Sequence, residues 1–169
     1  FEGPWFLEAL VRKVAREQDT FRLVTPSDDL ARHPENQLAT PPLCSWGAGG
    51  YAHMWLDGAN DWLYRHLHHC ARRMVGLAAD FAEPSTLQRR ALNQAARELL
   101  AAQASDWAFI MKTGTTVEYA VRRTREHLEH FQRLEEQLRQ GRIDEEGLAR
   151  REGSLNLFPE LDYRVYRPL

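Results

Sequence analysis

Three long segments, residues 60–82, 86–104 and 117–140, place apolar side chains three and four positions apart, and this periodicity constrains the fold more than any other feature. In the first, Leu63, Leu67, Ala71, Met74 and Ala78 form the stripe. In the second, Ala91, Leu92, Ala95, Ala96, Leu99 and Leu100 do so, with small residues that permit close helix packing. Val117, Val121, Thr124, Leu128, Phe131 and Leu138 make the third. Asn60, Ser85 and Thr116 stand where N-caps belong, and Gly141 where a helix stops. Amphipathic helices bury their stripes against one another, so a mainly α helical bundle is predicted.

The flanks have a different character. Gly3-Pro4 suits a helix start, with Trp5, Phe6, Ala9, Leu10 and Val14 at helical spacing. Phe21-Arg22-Leu23-Val24 is a candidate short strand, and Thr25-Pro26 caps a short helix ending near His33-Pro34. Helix, strand and helix in that order look like the closing unit of an α/β domain. The expected organisation is therefore 1–42 as a remnant of such a domain and 43–169 as the helical domain. The chain starts at Phe1 without an initiator methionine, in a stretch that looks like the middle of a folded region, so it is expected to be the C-terminal piece of a longer protein. At the other end Asp144 caps a short helix through Arg151, and the tail from Leu157 to Tyr166 keeps apolar groups that should dock on the body.

Composition narrows the function classes. The net charge of −2 comes from 22 basic and 24 acidic residues spread evenly, so no basic footprint for nucleic acid exists. No apolar run approaches a membrane span. Two cysteines are too few for a disulfide framework, and a reducing cytoplasm is the expected location.

The stretch Leu43-Cys44-Ser45-Trp46-Gly47-Ala48-Gly49-Gly50-Tyr51-Ala52-His53-Met54-Trp55 is a loop of defined shape, since its glycines admit backbone angles other residues avoid. Aromatic faces mounted on such a loop suit the C–H face of a sugar ring. On this stretch alone, tryptophans that anchor a long loop to the bundle are the commoner use, because large aromatics are mostly buried. Trp62 follows shortly after. Asp106, in Ser105-Asp106-Trp107 between helices, has two readings that weigh equally: a carboxylate gripping neighbouring sugar hydroxyls, or an N-cap for the segment that follows. His66, His69 and Cys70 share a helix face at zinc-compatible spacing, but no second ligand cluster completes a tetrahedral site, so no metal is expected. Lys112-Thr113-Gly114-Thr115 lacks the glycine spacing and preceding strand of a phosphate loop. Cys44 has no basic partner nearby in sequence and Cys70 lies within a helix, so neither is a candidate nucleophile. No cofactor is expected.

Taken together, Phe1-Glu2-Gly3-Pro4-Trp5-Phe6-Leu7, Ser45 to Tyr51, Trp55-Leu56, Asn60-Asp61-Trp62, Arg90 to Leu100, Ser105-Asp106-Trp107 and Phe109 to Thr115 resemble the C-terminal part of a bacterial 1,4-α-glucan branching enzyme of glycoside hydrolase family 57. The resemblance covers nearly the whole chain. It implies an incomplete (β/α) barrel carrying a glutamate nucleophile and an aspartate acid/base, both before Phe1, so no catalytic residue is expected here. It implies that residues 1–42 are the end of that barrel, and that the helical domain closes the cleft. By the same resemblance Trp46 and Asp106 match positions that contact the glucan and Trp55 an aromatic lining the cleft. The expected partners are α-glucan, as amylose or glycogen, and the upstream barrel, with no nucleic acid and no membrane. A retaining mechanism forms a covalent glucosyl-enzyme that a branching enzyme must pass to a glucan hydroxyl and protect from water, which gives tryptophan platforms beside the cleft a purpose. Cys44 stands where relatives often have serine, with no functional change implied. An amylase or 4-α-glucanotransferase of the same family, and a non-catalytic helical carbohydrate-binding or interaction module, are the alternatives.

Overall fold

Helix α4 (Thr86–Ala102) is the element around which the others pack, lying against α3 (Trp62–Asp80), α6 (Val117–Gln140) and α7 (Glu145–Ser154). Its alanines explain why. Ala91, Ala95, Ala96 and Ala102 are fully buried, and side chains that small let α6 approach closely along α4. This computed structural model describes residues 2–168, apart from the side chain of Ala48. Phe1, the first residue of the opening match, and Leu169 lie outside the described residues.

The chain divides into two compact units, Phe1–Pro42 and Leu43–Leu169. In the second, the predicted stripes form one core: Leu63, Leu67, Met74, Leu92, Leu99, Leu128, Phe131 and Leu138 are all buried. Ala71, Leu100 and Val121 are half-buried, and Val117 is exposed at the first position of α6. The caps divide by whether their partner is local. Ser85 accepts from the Gln88 amide while Gln88 answers to the Ser85 amide, a complete capping box. Asp144 likewise caps α7 through the Gly147 amide at 2.9 Å. Gly141 closes α6 in the left-handed region at φ 66°. Two expected caps are corrected. Thr116 makes no side-chain cap bond, and α3 begins at Trp62 because the Asn60 side chain is used elsewhere. Ser105-Asp106-Trp107, expected to lie between helices, instead opens helix α5 (Ser105–Thr113).

The tail docks on the body. Tyr163 is buried, its hydroxyl donates to the Phe81 carbonyl at 2.7 Å, and its amide donates to Asn93 Oδ1 at 2.9 Å. The core also holds a charged cluster. Glu98 is fully buried and accepts from Gln94 Nε2 at 3.1 Å and from two nitrogens of Arg151, and it meets His127 Nδ1 at 2.8 Å. Burial alone pushes the Glu98 carboxyl up, but the bonds from His127, Arg151 and Gln94 outweigh it and hold the group below its ordinary range.

The first unit holds α1 (Gly3–Arg16) and α2 (Pro26–Arg32), the latter started by a capping box between Thr25 and Asp28. Gln18 shapes the turn between them, donating to the Val14 and Phe21 carbonyls and accepting from the Phe21 amide. Phe21–Val24 is not a ladder strand, which corrects the expected helix-strand-helix. A strand needs a second edge for its amides and carbonyls, and no described residue supplies one. The α1 stripe is also uncovered: Trp5 and Phe6 are exposed, and none of the described residues of this unit is buried.

Candidate functional site

The glycine-tryptophan loop folds back on itself through Ser45. Its amide donates to the Gly50 carbonyl at 2.6 Å, and its hydroxyl accepts from the Ala52 amide at 2.5 Å. Gly47 shows why glycine is required: its φ is +103°, and an added Cβ would stand 3.0 Å from Met54 Cγ. The closure holds Trp46 outward, with 71% of its surface exposed.

Three aromatic rings meet there. Trp46 lies 6.1 Å from Trp55 and 5.7 Å from Phe109, and Trp55 lies 6.3 Å from Phe109, all tilted or edge-on. Trp55 is half-buried against the core, its carbonyl accepting from the Tyr64 hydroxyl at 2.5 Å. Its indole Nε1 is buried without a hydrogen-bond partner among the described residues. Trp55 is therefore an anchor to the core, and Trp46 packs against it with most of its own surface exposed.

Asp106 stands one helical turn before Phe109 on α5, so the two share a side of that helix. The carboxylate is exposed and makes no hydrogen bond or ion pair among the described residues. It is not the N-cap, because Ala104 occupies that position. A first-turn acid still gains from the helix N-terminus, about 0.3–1 kcal/mol, and that is its structural use. Its neighbour Trp107 serves the scaffold, donating from Nε1 to the Ala101 carbonyl at 2.7 Å.

What joins the loop to α5 was not visible in the sequence. Asn60 is fully buried and donates to the Met54 carbonyl at 3.1 Å and the Ala108 carbonyl at 3.0 Å, while its Oδ1 accepts from the Asp57 amide at 2.9 Å. Lys112 Nζ adds an ion pair with Asp57 Oδ2 at 2.6 Å, which holds the Asp57 carboxyl below its ordinary value. Phe109 was also missed. Its only sequence signal is its place one turn after Asp106, and that counts once residues 105–113 are known to be helical.

The remaining candidates do not converge. His69 is exposed, His66 lies edge-on to Trp62, and burial followed by the charge of Glu135 pushes the Cys70 thiol up to about 11. No group of three histidine, cysteine or acidic residues among the described residues is arranged to hold a metal. Cys44 is free and exposed. No helix among the described residues is long and apolar enough to cross a membrane.

Comparison with known proteins sets this geometry in a family. A 1,4-alpha-glucan branching enzyme of Thermococcus kodakarensis is 38% identical over 97 residues, which is 57% of this chain and 14% of that protein. An alpha-amylase structure from Thermotoga maritima is similar over 100% of this chain and 31% of its own, at 44% identity and a TM-score of 0.72. A branching enzyme of glycoside hydrolase family 57 type from Pyrococcus horikoshii is similar over 99% of this chain and 32% of its own, at 33% identity and a TM-score of 0.78. The crystal structure of the Thermococcus kodakarensis branching enzyme, obtained with glucose and additives, has a TM-score of 0.80 at 29% identity, covering 99% of this chain and 31% of that one. The chain thus spans about a third or less of the length of these relatives. Residues 66–166 match the family described as 1,4-alpha-glucan branching enzyme, C-terminal, and the chain belongs to that family.

Proposed function

We propose that this chain is the glucan-facing C-terminal region of an enzyme that forms α-1,6 branches in α-glucan, with Trp46, Trp55 and Asp106 in contact with the sugar. The observation that carries the reading is the exposed Trp46 platform, held by Trp55 and Phe109, with the unpartnered carboxylate of Asp106 one turn before Phe109 on the adjoining helix. An indole face takes the apolar side of a glucose ring, and a carboxylate accepts from two neighbouring hydroxyls. The exposed apolar stripe of α1 supports residues 1–42 as the end of a catalytic barrel, which would cover it. The nucleophile and acid/base then lie upstream, and the helical unit supplies substrate grip and exclusion of water. The reading puts the protein in glycogen biosynthesis in the cytoplasm, where two free cysteines stay reduced.

The test is titration of the chain with maltoheptaose, followed by tryptophan fluorescence. Trp46→Ala should lower affinity about ten-fold, equivalent to roughly 1–2 kcal/mol, with an unchanged melting temperature. Asp106→Ala should weaken binding in the same way. Binding unaffected by either change would make both residues structural. For the reaction, the chain alone should neither branch nor hydrolyse amylose. Joined to an upstream barrel, it should raise α-1,6 content with little release of reducing ends. The similarity to an alpha-amylase makes the opposite result informative, since release mainly of reducing ends would replace branching by hydrolysis.

A further inference from the structure

Helices α6 and α7 enclose a second concave site, a cleft of about 410 Å³ whose floor is Leu134 and Leu148 and whose walls carry His130, Arg133, Arg150 and Arg151. We propose that this cleft binds a small phosphate-bearing anion, inorganic phosphate or a phosphate monoester.

Arg151 is the anchor of the argument. Its Nε and Nη2 are both committed to the buried carboxylate of Glu98, Nη2 at 2.7 Å, so the guanidinium plane is held rigidly and Nη1 is the nitrogen left over. A planar donor fixed from behind loses little freedom when it binds an anion in front. Arg133 makes no hydrogen bond or ion pair among the described residues, and the His130 ring, half-buried, has no hydrogen-bond partner there either. Arg150 has only a loose pairing with Glu146 at 3.8 Å, both ends solvent-exposed. These side chains stand one turn apart on each helix, His130 with Arg133 and Leu134 on α6, Leu148 with Arg151 on α7, so two regular helices aim them at one cleft. Three carboxylates oppose the three arginines: Asp144 lines the cleft with its Oδ1 held by the Gly147 amide at 2.9 Å, Glu146 pairs loosely with Arg150, and Glu98 lies behind Arg151. Burial first, and then the positive charges of Arg151 and Arg133 with His127, draw the His130 ring below its ordinary value against the opposite pull of Glu98. At the His130 ring the arginines outweigh Glu98, and an anion bound between them and the ring would reverse that bias and favour the protonated ring. A dianionic phosphate matches guanidinium donors and a histidinium better than a neutral sugar does.

The experiment is a pH titration of the histidine ring signals of the whole chain by NMR, with inorganic phosphate, glucose 1-phosphate or glucose against chloride at equal ionic strength. At saturation either phosphate should raise the His130 midpoint by about one pH unit, a tenfold preference for the protonated ring, while exposed His33 stays put. Arg133→Ala, at an exposed position, should weaken the effect about tenfold without unfolding the chain. A stronger response to glucose 1-phosphate identifies a monoester site, and an equal response a site for the phosphate group alone. An unmoved His130, the same shift with glucose or chloride, or a shift unchanged by Arg133→Ala overturns the proposal. None of these outcomes depends on glucan binding at Trp46.

Discussion

Asn60 carries more of the site than either tryptophan does. It joins three backbone groups from the loop, the following turn and α5, and no solvent reaches it. Removing it takes a hydrogen-bond partner from two carbonyls and an amide, the Ala108 contact being fully buried, a change that costs about 1–3 kcal/mol. Asn60→Ala should therefore lower the urea midpoint and also weaken maltoheptaose binding, because the aromatic corner loses its attachment to α5. Asn60→Asp should be at least as damaging, since a carboxylate would face two carbonyl oxygens. Trp46→Ala should separate these effects by weakening binding alone, as its indole is exposed. Equal urea midpoints for Asn60→Ala and the parent chain would remove Asn60 from this role. The Lys112–Asp57 pair is part-exposed and adds direction more than strength.

Among the elements, α4 and α6 test how far local capping matters. Ser85 makes a reciprocal box with Gln88, whereas Thr116 makes no side-chain bond at its helix start. Ser85→Ala should cost about 1 kcal/mol and Thr116→Ala close to nothing, a contrast that thermal unfolding of the two variants will reveal. Gly147 in α7 is subtler. Alanine is ordinarily the better helix former, but a Cβ there would lie 2.3 Å from Asp144 Oδ2. Gly147→Ala should thus displace the cap and lower the melting temperature, where propensity alone predicts a rise. Helix α5 escaped sequence reading because nine residues hold too few turns to display a period.

At the scale of the whole molecule, stability should depend on pH through the charges in the core. Glu98 is held below its ordinary value in the folded chain, so its stabilising contribution is complete above the unfolded carboxylate value, about 4.3, and is lost as pH falls through the folded value. His130, also lowered on folding, adds to the loss earlier: the unfolded chain takes up its proton as pH drops below about 6.5 while the folded chain resists. Both signs agree, and the melting temperature should decline on acidification with an onset near 6.5 and a steeper fall below 4.5. Glu98→Gln should cost about 3–5 kcal/mol at neutral pH, because Arg151 loses its buried counterion, and should flatten the steep acid limb. A variant with the parent's melting temperature at pH 7 would refute the assignment.

The sequence by itself determined the three long helices, the caps at Thr25 and Ser85, the stop at Gly141 and a loop shaped by its glycines around Trp46. All of these depend on residues within a few positions of each other, and such interactions leave their spacing in the chain. Only the tertiary structure decided that Asn60 would reach Ala108, that Asp57 would pair with Lys112, that Phe109 would complete the aromatic corner, and that Glu98 would meet Arg151 and His127. Those partners are far apart in sequence, and their match follows from how α3 to α7 pack rather than from any local pattern. Phe21–Val24 shows the same limit from the other side: its alternation is that of a strand, yet a ladder requires an edge that local sequence does not contain.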